Sequence, residues 1–127
     1  MIIGTGIDIV EISRIKRAAQ KWGDTFLNKV FTRKELEYSK KKHFPYQHLA
    51  ARFAAKEAVA KAFGDVDQIS WKDIEVNNLE NGKPHIKLTG NANSLKNKRG
   101  INKIIISLSH SKNYAVANAI LVNKESQ

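Results

Sequence analysis

Residues 2–10 alternate between isoleucine or valine and smaller or polar positions, the pattern of a buried strand, interrupted by Gly4 and Gly6. Ser13 then stands where a helix cap is expected, ahead of a helix over 14–22 that Gly23 stops. The apolar stripe of that helix is Ile15, Ala18, Ala19 and Trp22, which leaves Arg14, Arg17 and Lys21 on or near the other side. Thr32 and Glu35 have the Thr-x-x-Glu spacing of a capping box and predict a second helix running to about residue 41. A basic loop over 40–45 ends it. Residues 47–63 are alanine-rich, free of glycine and proline, and form the strongest helical segment of the chain. Beyond Gly64 the pattern turns to strands: one over 70–79, the turn signal Asn81-Gly82, and a return strand over 84–88. A short polar helix is expected over 92–98. Two further strands, 104–108 and 114–122, flank the polar tip Ser109-His110-Ser111-Lys112-Asn113. Strands and helices are segregated more than alternated, which predicts an α+β fold. No internal repeat, low-complexity tract or linker divides the chain.

Composition narrows the class. With 127 residues, 42% hydrophobic and 27% charged, the chain reads as one soluble domain spanning 1–127. It contains no cysteine, which excludes disulfides, thiolate metal ligands and a cysteine nucleophile. The net charge of +10 points to an anionic partner: nucleic acid, a phosphorylated small molecule, a membrane face or an acidic protein. A basic surface kept for solubility is the plain alternative. No apolar run approaches the roughly 18 residues that span a bilayer. The first residues lack the marks of a signal peptide, so a cytoplasmic location is expected.

The candidate chemistry lies in three places. Asp8 sits between Ile7 and Ile9, and a carboxylate in such a strand needs a cation, a donor or a metal unless it lies at the strand end with a local hydrogen bond. The Gly4-x-Gly6 pair before it lacks the third glycine and following helix of a dinucleotide fingerprint; two glycines there suggest close approach of another backbone or a ligand. On the alanine-rich helix, Ala50, Phe53, Ala54, Glu57 and Lys61 share one face at about 100° per residue, and Glu57 and Lys61 have the spacing of an ion pair. An acid and an amine one turn apart among small residues can place a divalent cation and a lysine on the same phosphate, and Asp8 with Glu57 supplies the one or two carboxylates that Mg²⁺ takes; a surface ion pair is the plain alternative. Ser109, His110 and Ser111 do not make a hydrolase, because adjacent strand residues point to opposite faces and no nucleophile elbow is present. They suit donation to phosphate or sugar oxygens, or form an ordinary turn. Asn81-Gly82-Lys83-Pro84 is first a hairpin turn. His43, His48 and His85 have no metal-ligand spacing.

In this order the pieces resemble the holo-acyl-carrier-protein synthases, the small bacterial 4′-phosphopantetheinyl transferases. The resemblance rests on Gly4-x-Gly6-x-Asp8 with Arg14 following, Phe31-Thr32-x-x-Glu35, and Arg52-Phe53-Ala54-Ala55-Lys56-Glu57-Ala58-x-x-Lys61-Ala62. Asn81-Gly82-Lys83-Pro84, Ser107-Leu108-Ser109-His110-Ser111 and Tyr114-Ala115-x-Ala117 complete it. It implies an antiparallel-rich sheet packed on a long alanine-rich helix. It also implies Mg²⁺-dependent transfer of phosphopantetheine from coenzyme A to a serine of apo acyl carrier protein, releasing adenosine 3′,5′-bisphosphate and supporting fatty acid biosynthesis. Asp8 and Glu57 would bind the metal, and Lys61 would neutralise the leaving phosphate. Glu57, directly or through a metal-bound water, is the family's candidate for taking the serine proton. Gly82, Lys83, Pro84, Ser109, His110 and Ser111 would hold the nucleotide end. Family members assemble as homotrimers with coenzyme A between subunits.

The chemistry agrees from below, since phosphoryl transfer needs positioning and charge neutralisation rather than a covalent nucleophile. Arg14, Lys16, Arg17 and Lys21 would offer an acidic carrier protein a matching face. The rival readings are weaker. A nucleic-acid module explains the charge but leaves Asp8 and Glu57 as repulsive carboxylates and brings no recognised motif. A metal-dependent phosphohydrolase shares Asp8, Glu57 and Lys61 but needs a water site the sequence does not reveal.

Overall fold

In the computed structural model, residues 1–64 and 66–124 are described. Strand β1, Ile2–Glu11, runs directly into helix α1, Ile12–Trp22. The cap differs from expectation: Glu11 occupies the N-cap with no side-chain bond, and Ser13 lies inside the first turn. The end of the strand fixes the start of the helix instead, because the Ile12 amide donates to the Asn113 carbonyl at 2.9 Å. Gly23, at φ 56°, ends α1 as the sequence predicts. A seven-residue helix, α2 (Asp24–Val30), follows; it is too short for its periodicity to register in the sequence. Helix α3, Arg33–Lys40, carries the expected capping box: the Glu35 amide donates to Thr32 Oγ1 at 3.3 Å, and the Thr32 amide donates to Glu35 Oε1 at 2.8 Å.

Helix α4, Pro45–Phe63, begins two residues before the predicted start. Proline at the first helical position loses no hydrogen bond, so Pro45 opens the helix instead of closing the basic loop. Gly64, at φ 83°, closes it through a 3.0 Å bond to the Ala60 carbonyl. The predicted strand over 70–79 shortens to β2, Ile74–Asn78. Its first part, Trp71–Asp73, is a 3₁₀ turn capped reciprocally by Ser70 and Asp73, so local capping outcompetes the ladder. Strand β3, Pro84–Leu88, pairs antiparallel with β2 through the expected hairpin, with Gly82 at φ 85°. Helix α5 spans Gly90–Lys98, and the long strands β4 (Ile101–His110) and β5 (Tyr114–Asn123) complete the chain.

The architecture is α+β, as predicted. Strands β1, β5 and β4 form an antiparallel sheet in that order, and β2 with β3 makes a separate ribbon. Helix α4 lies across the inner face of the three-stranded sheet and is buried on nearly every side, including Ala50, Ala54, Ala55, Ala58 and Val59. The two glycines of β1 make that approach possible. A Cβ on Gly6 would stand 2.0 Å from the Ala58 carbonyl oxygen, and one on Gly4 would stand 2.2 Å from that of Ala62. Each distance lies inside contact with backbone, so any larger residue would push the strand off the helix. The other face of the sheet is uncovered in the single chain: Ile7, Ile9 and Ile105 are 63%, 65% and 41% exposed. Among the described residues no helix is long and apolar enough to cross a membrane.

Candidate active site

The strand–helix contact brings Asp8 to α4. Gly4 faces Ala62 and Gly6 faces Ala58, so β1 runs antiparallel to the helix axis and carries Asp8, on the same face two residues later, toward the turn that precedes Ala58. Helical side chains lean toward the N-terminus. Lys61 accordingly reaches back and places Nζ 2.9 Å from Asp8 Oδ1 and 3.2 Å from the Ile7 carbonyl. The Asp8 side chain is 15% exposed and that of Lys61 49%, so the pair sits at the rim of the sheet rather than in the core. The expected Glu57–Lys61 ion pair is replaced: Lys61 takes Asp8, and Glu57 Oε1 accepts a 2.6 Å hydrogen bond from the Trp71 indole Nε1. The carboxylate of β1 outbids the helical neighbour because it lies where the lysine already points.

Behind Glu57 stands a pair the sequence does not single out. Lys56 and Glu35 are both fully buried, with Lys56 Nζ 2.7 Å from Glu35 Oε1. The ammonium also donates to the Ile74 carbonyl at 2.6 Å and the Trp71 carbonyl at 3.0 Å, while Glu35 Oε2 accepts from the Val76 amide at 2.8 Å. Burial pulls the Lys56 pKa below its ordinary value, with the Glu35 charge opposing the shift. The one legible signal was Glu35 in the capping box. Its second task, as counter-ion to Lys56, depends on a contact across 21 positions of sequence. Consecutive residues of α4 thus differ in exposure: the Lys56 ammonium is fully buried at the back of a groove, while Glu57 is partly open to it.

That groove, a cavity of about 390 Å³, is lined by Lys29, Glu57, Ala60, Ile69, Ser70 and Trp71, among others. A second, of about 320 Å³, runs from Arg14 and Trp22 past Phe26 and Phe53, and meets the first at Lys29 and Trp71. The two grooves lie on either side of Lys29 and Trp71, one reaching the face of α1 and the other Glu57. Arg14, Arg17 and Lys21 are all exposed on α1, as predicted.

The remaining candidates lie elsewhere. Ser109, His110 and Ser111 form the end of β4 and its turn, where Tyr114 N donates to Ser111 Oγ at 3.2 Å. Gly82, Lys83 and Pro84 form the hairpin, where the Lys83 amide donates to Asn81 Oδ1 at 3.0 Å. None of the six lines the Glu57 groove. The two loops are joined to each other through α4. Asn78 Nδ2 donates to the Gly82 carbonyl at 3.1 Å, and Asn78 Oδ1 accepts from Arg52 at 2.5 Å. Arg52 lies 4.0 Å from the centroid of the Tyr38 ring, which meets His48, which in turn meets His110. His48, without a role by spacing, is the middle of this chain. Its pKa is lowered by burial first, then by the positive charges of Arg52, His110 and Lys42. Arg52 is 3% exposed, and its Nε finds no partner among the described residues.

Two carboxylates, a lysine beside one of them and an open groove beside the other are chemically suited to an anionic, phosphate-bearing substrate. Among the described residues no group of three histidines or carboxylates could cage a metal alone. A cation of the Mg²⁺ type takes one or two carboxylates and completes its shell with substrate oxygens and water, and Asp8 and Glu57 are the two that could offer them.

The model of the 4′-phosphopantetheinyl transferase superfamily matches residues 4–119, and the chain belongs to that superfamily. The holo-acyl-carrier-protein synthase of Natranaerobius thermophilus is 48% identical over 122 residues, covering 95% of this chain and 98% of that protein. The crystal structure of the Neisseria meningitidis holo-acyl-carrier-protein synthase superposes with a TM-score of 0.89 at 32% identity, covering 97% of this chain and all of that one. The Bacillus anthracis synthase, crystallised in complex with CoA (3′,5′-ADP), gives 0.80 at 34% identity over 98% and 99% of the two chains. Within the superfamily the enzyme class of the chain is holo-acyl-carrier-protein synthase.

Proposed function

We propose that the chain transfers the phosphopantetheine arm of coenzyme A to a serine hydroxyl of an apo acyl carrier protein, with Mg²⁺ held by Asp8 and Glu57. The observation that carries this reading is the meeting of β1 and α4 through Gly4 and Gly6, which sets the Asp8–Lys61 pair beside the helix turn bearing Glu57. The serine oxygen forms a bond to the pantetheine-side phosphorus of the pyrophosphate. The bond from that phosphorus to the bridging oxygen breaks, and adenosine 3′,5′-bisphosphate leaves. Lys61 offsets the charge that grows on the leaving phosphate. The serine proton passes to Glu57, directly or through water. A bound Mg²⁺ would supply neutralisation of the pyrophosphate. Incubation with apo carrier protein, coenzyme A and Mg²⁺ tests the reading: the carrier should gain the mass of one phosphopantetheine, and an unchanged carrier would refute it. The role served is fatty acid biosynthesis in the cytoplasm.

Gly82, Lys83, Pro84, Ser109, His110 and Ser111 are assigned to the nucleotide end. They lie away from the Glu57 groove of their own chain, and the uncovered Ile7, Ile9 and Ile105 face gives the protein an apolar surface to close. Both facts support a homotrimer with coenzyme A between subunits. Light scattering on active protein should give about three times 14.3 kDa; an active monomer would exclude shared sites.

The exposed Arg14, Arg17 and Lys21 are assigned to the carrier, an acidic partner. Arg14→Glu should raise the carrier KM severalfold at low salt and leave the coenzyme A KM nearly unchanged. The difference should fade as ionic strength approaches about 0.5 M, where screening shortens to a few ångströms. Steady-state kinetics with the carrier varied at fixed coenzyme A decide the point. An unchanged carrier KM would remove this face from the assignment.

A further inference from the structure

Trp71 belongs to none of the chemical roles above, yet it is the sole hydrogen-bond donor to Glu57 among the described residues. We propose that Trp71 is a positioning residue for Glu57: its indole N–H clamps one carboxylate oxygen and presents the other to the cation. The proposal rests on the reading of Glu57 as a metal ligand.

The geometry supplies the argument. Nε1 lies 2.6 Å from Glu57 Oε1, a short and direct hydrogen bond. A glutamate on a helix has three rotatable bonds, and one fixed oxygen removes most of that freedom before any cation arrives. The indole is itself held. Its ring packs against Phe53 at 6.2 Å between centroids, and its own carbonyl accepts from the buried Lys56 ammonium at 3.0 Å. Lys56 also grips the Ile74 carbonyl, so both ends of the 3₁₀ turn bearing Trp71 are tied to the residue preceding Glu57. A closed circuit results: α4 anchors the turn through Lys56, and the turn returns to α4 through the indole and Glu57. Lys29 Nζ stands 6.0 Å from the centre of the Trp71 ring, at the outer reach of a cation–π contact with the indole. A phenylalanine at position 71 would keep an aromatic wall between the two grooves while losing the donor and one ring. The indole therefore has a task that packing alone does not explain.

Outer-shell hydrogen bonds to metal ligands are typically worth about 10- to 100-fold in metal affinity. Mn²⁺ titrated into the full chain with coenzyme A present, followed by loss of the free-ion electron paramagnetic resonance signal, reads this directly. Trp71→Phe should bind Mn²⁺ about tenfold more weakly and show a matching rise in the Mg²⁺ concentration for half-maximal rate, while the carrier KM stays put. Benzothienylalanine at position 71 keeps the two-ring shape and lacks only the N–H, and it should reproduce the loss. It also serves where the phenylalanine variant fails to fold. Wild-type Mn²⁺ affinity in the benzothienylalanine protein, or tighter binding, would overturn the proposal and leave Glu57 as a ligand in place. Wild-type affinity in Glu57→Gln would instead overturn the metal-ligand reading on which the proposal stands.

Discussion

Asp8→Ala and Glu57→Ala are each expected to leave a folded protein whose turnover falls at least about a hundredfold, the scale of losing a ligand that couples a cation to substrate phosphate. Neither side chain holds up the core. Asp8 and Lys61 lie at the rim, and a partly exposed pair of this kind contributes little to stability. Asp8→Ala frees the Lys61 ammonium, which is half exposed and stays solvated. Glu57→Ala opens a groove that is already wet at one side. The two effects should not add, since either loss uncouples the cation from the same pyrophosphate. Activity assays at saturating Mg²⁺, with circular dichroism to establish folding, check the outcome; near-normal turnover in a folded variant would withdraw that carboxylate from the site.

Glu35→Ala should do the opposite, striking the fold first. It leaves the Lys56 ammonium in a fully buried position with two carbonyls and no counter-charge. Removing one partner of a buried pair typically costs about 3–5 kcal/mol, a large share of the roughly 5–15 kcal/mol that stabilises a domain. The urea midpoint should drop accordingly, and Glu35→Ala with Lys56→Met should recover part of the loss, because the stranded charge goes with the second substitution. A single variant with the wild-type midpoint would refute the account. The pH dependence has a definite sign. Burial sets the folded Lys56 pKa below 10.5, so between the two values the unfolded chain holds a proton that the folded chain releases, and stability rises with pH there. Without Glu35 to oppose burial, that rise should begin at lower pH than in the wild type.

The elements that periodicity and punctuation govern were legible in the sequence: the glycine-free alanine helix, the Thr32–Glu35 box, the Asn81-Gly82 hairpin and the stop at Gly23. Where tertiary contacts set a boundary, the sequence was silent. The start of α1 is fixed by a bond from Ile12 to Asn113, and the strand over 70–79 loses its first four residues to a local cap and to Lys56. Asp8, Glu57 and Lys61 were legible as chemistry because acids among alanines and isoleucines are costly without a purpose. Their pairing was not, since only the register of β1 on α4 tells Lys61 to choose Asp8. Trp71 and His48 escaped notice for the same reason: an indole and an imidazole reveal a task only when the fold shows what stands opposite.

The crowding around α4 has an evolutionary consequence. Most surface helices can absorb an inserted or deleted residue, because the solvent-facing side accommodates the 100° rotation that follows. Here there is no forgiving side. One deletion between Pro45 and Lys56 would carry Lys56 into the buried place of Ala55, Glu57 into the place of Lys56 and Ala58 away from Gly6, losing the ion pair, the Trp71–Glu57 bond and the strand contact together. This stretch can therefore drift by substitution but not by change of length, and variation in chain length should collect in the connections around it.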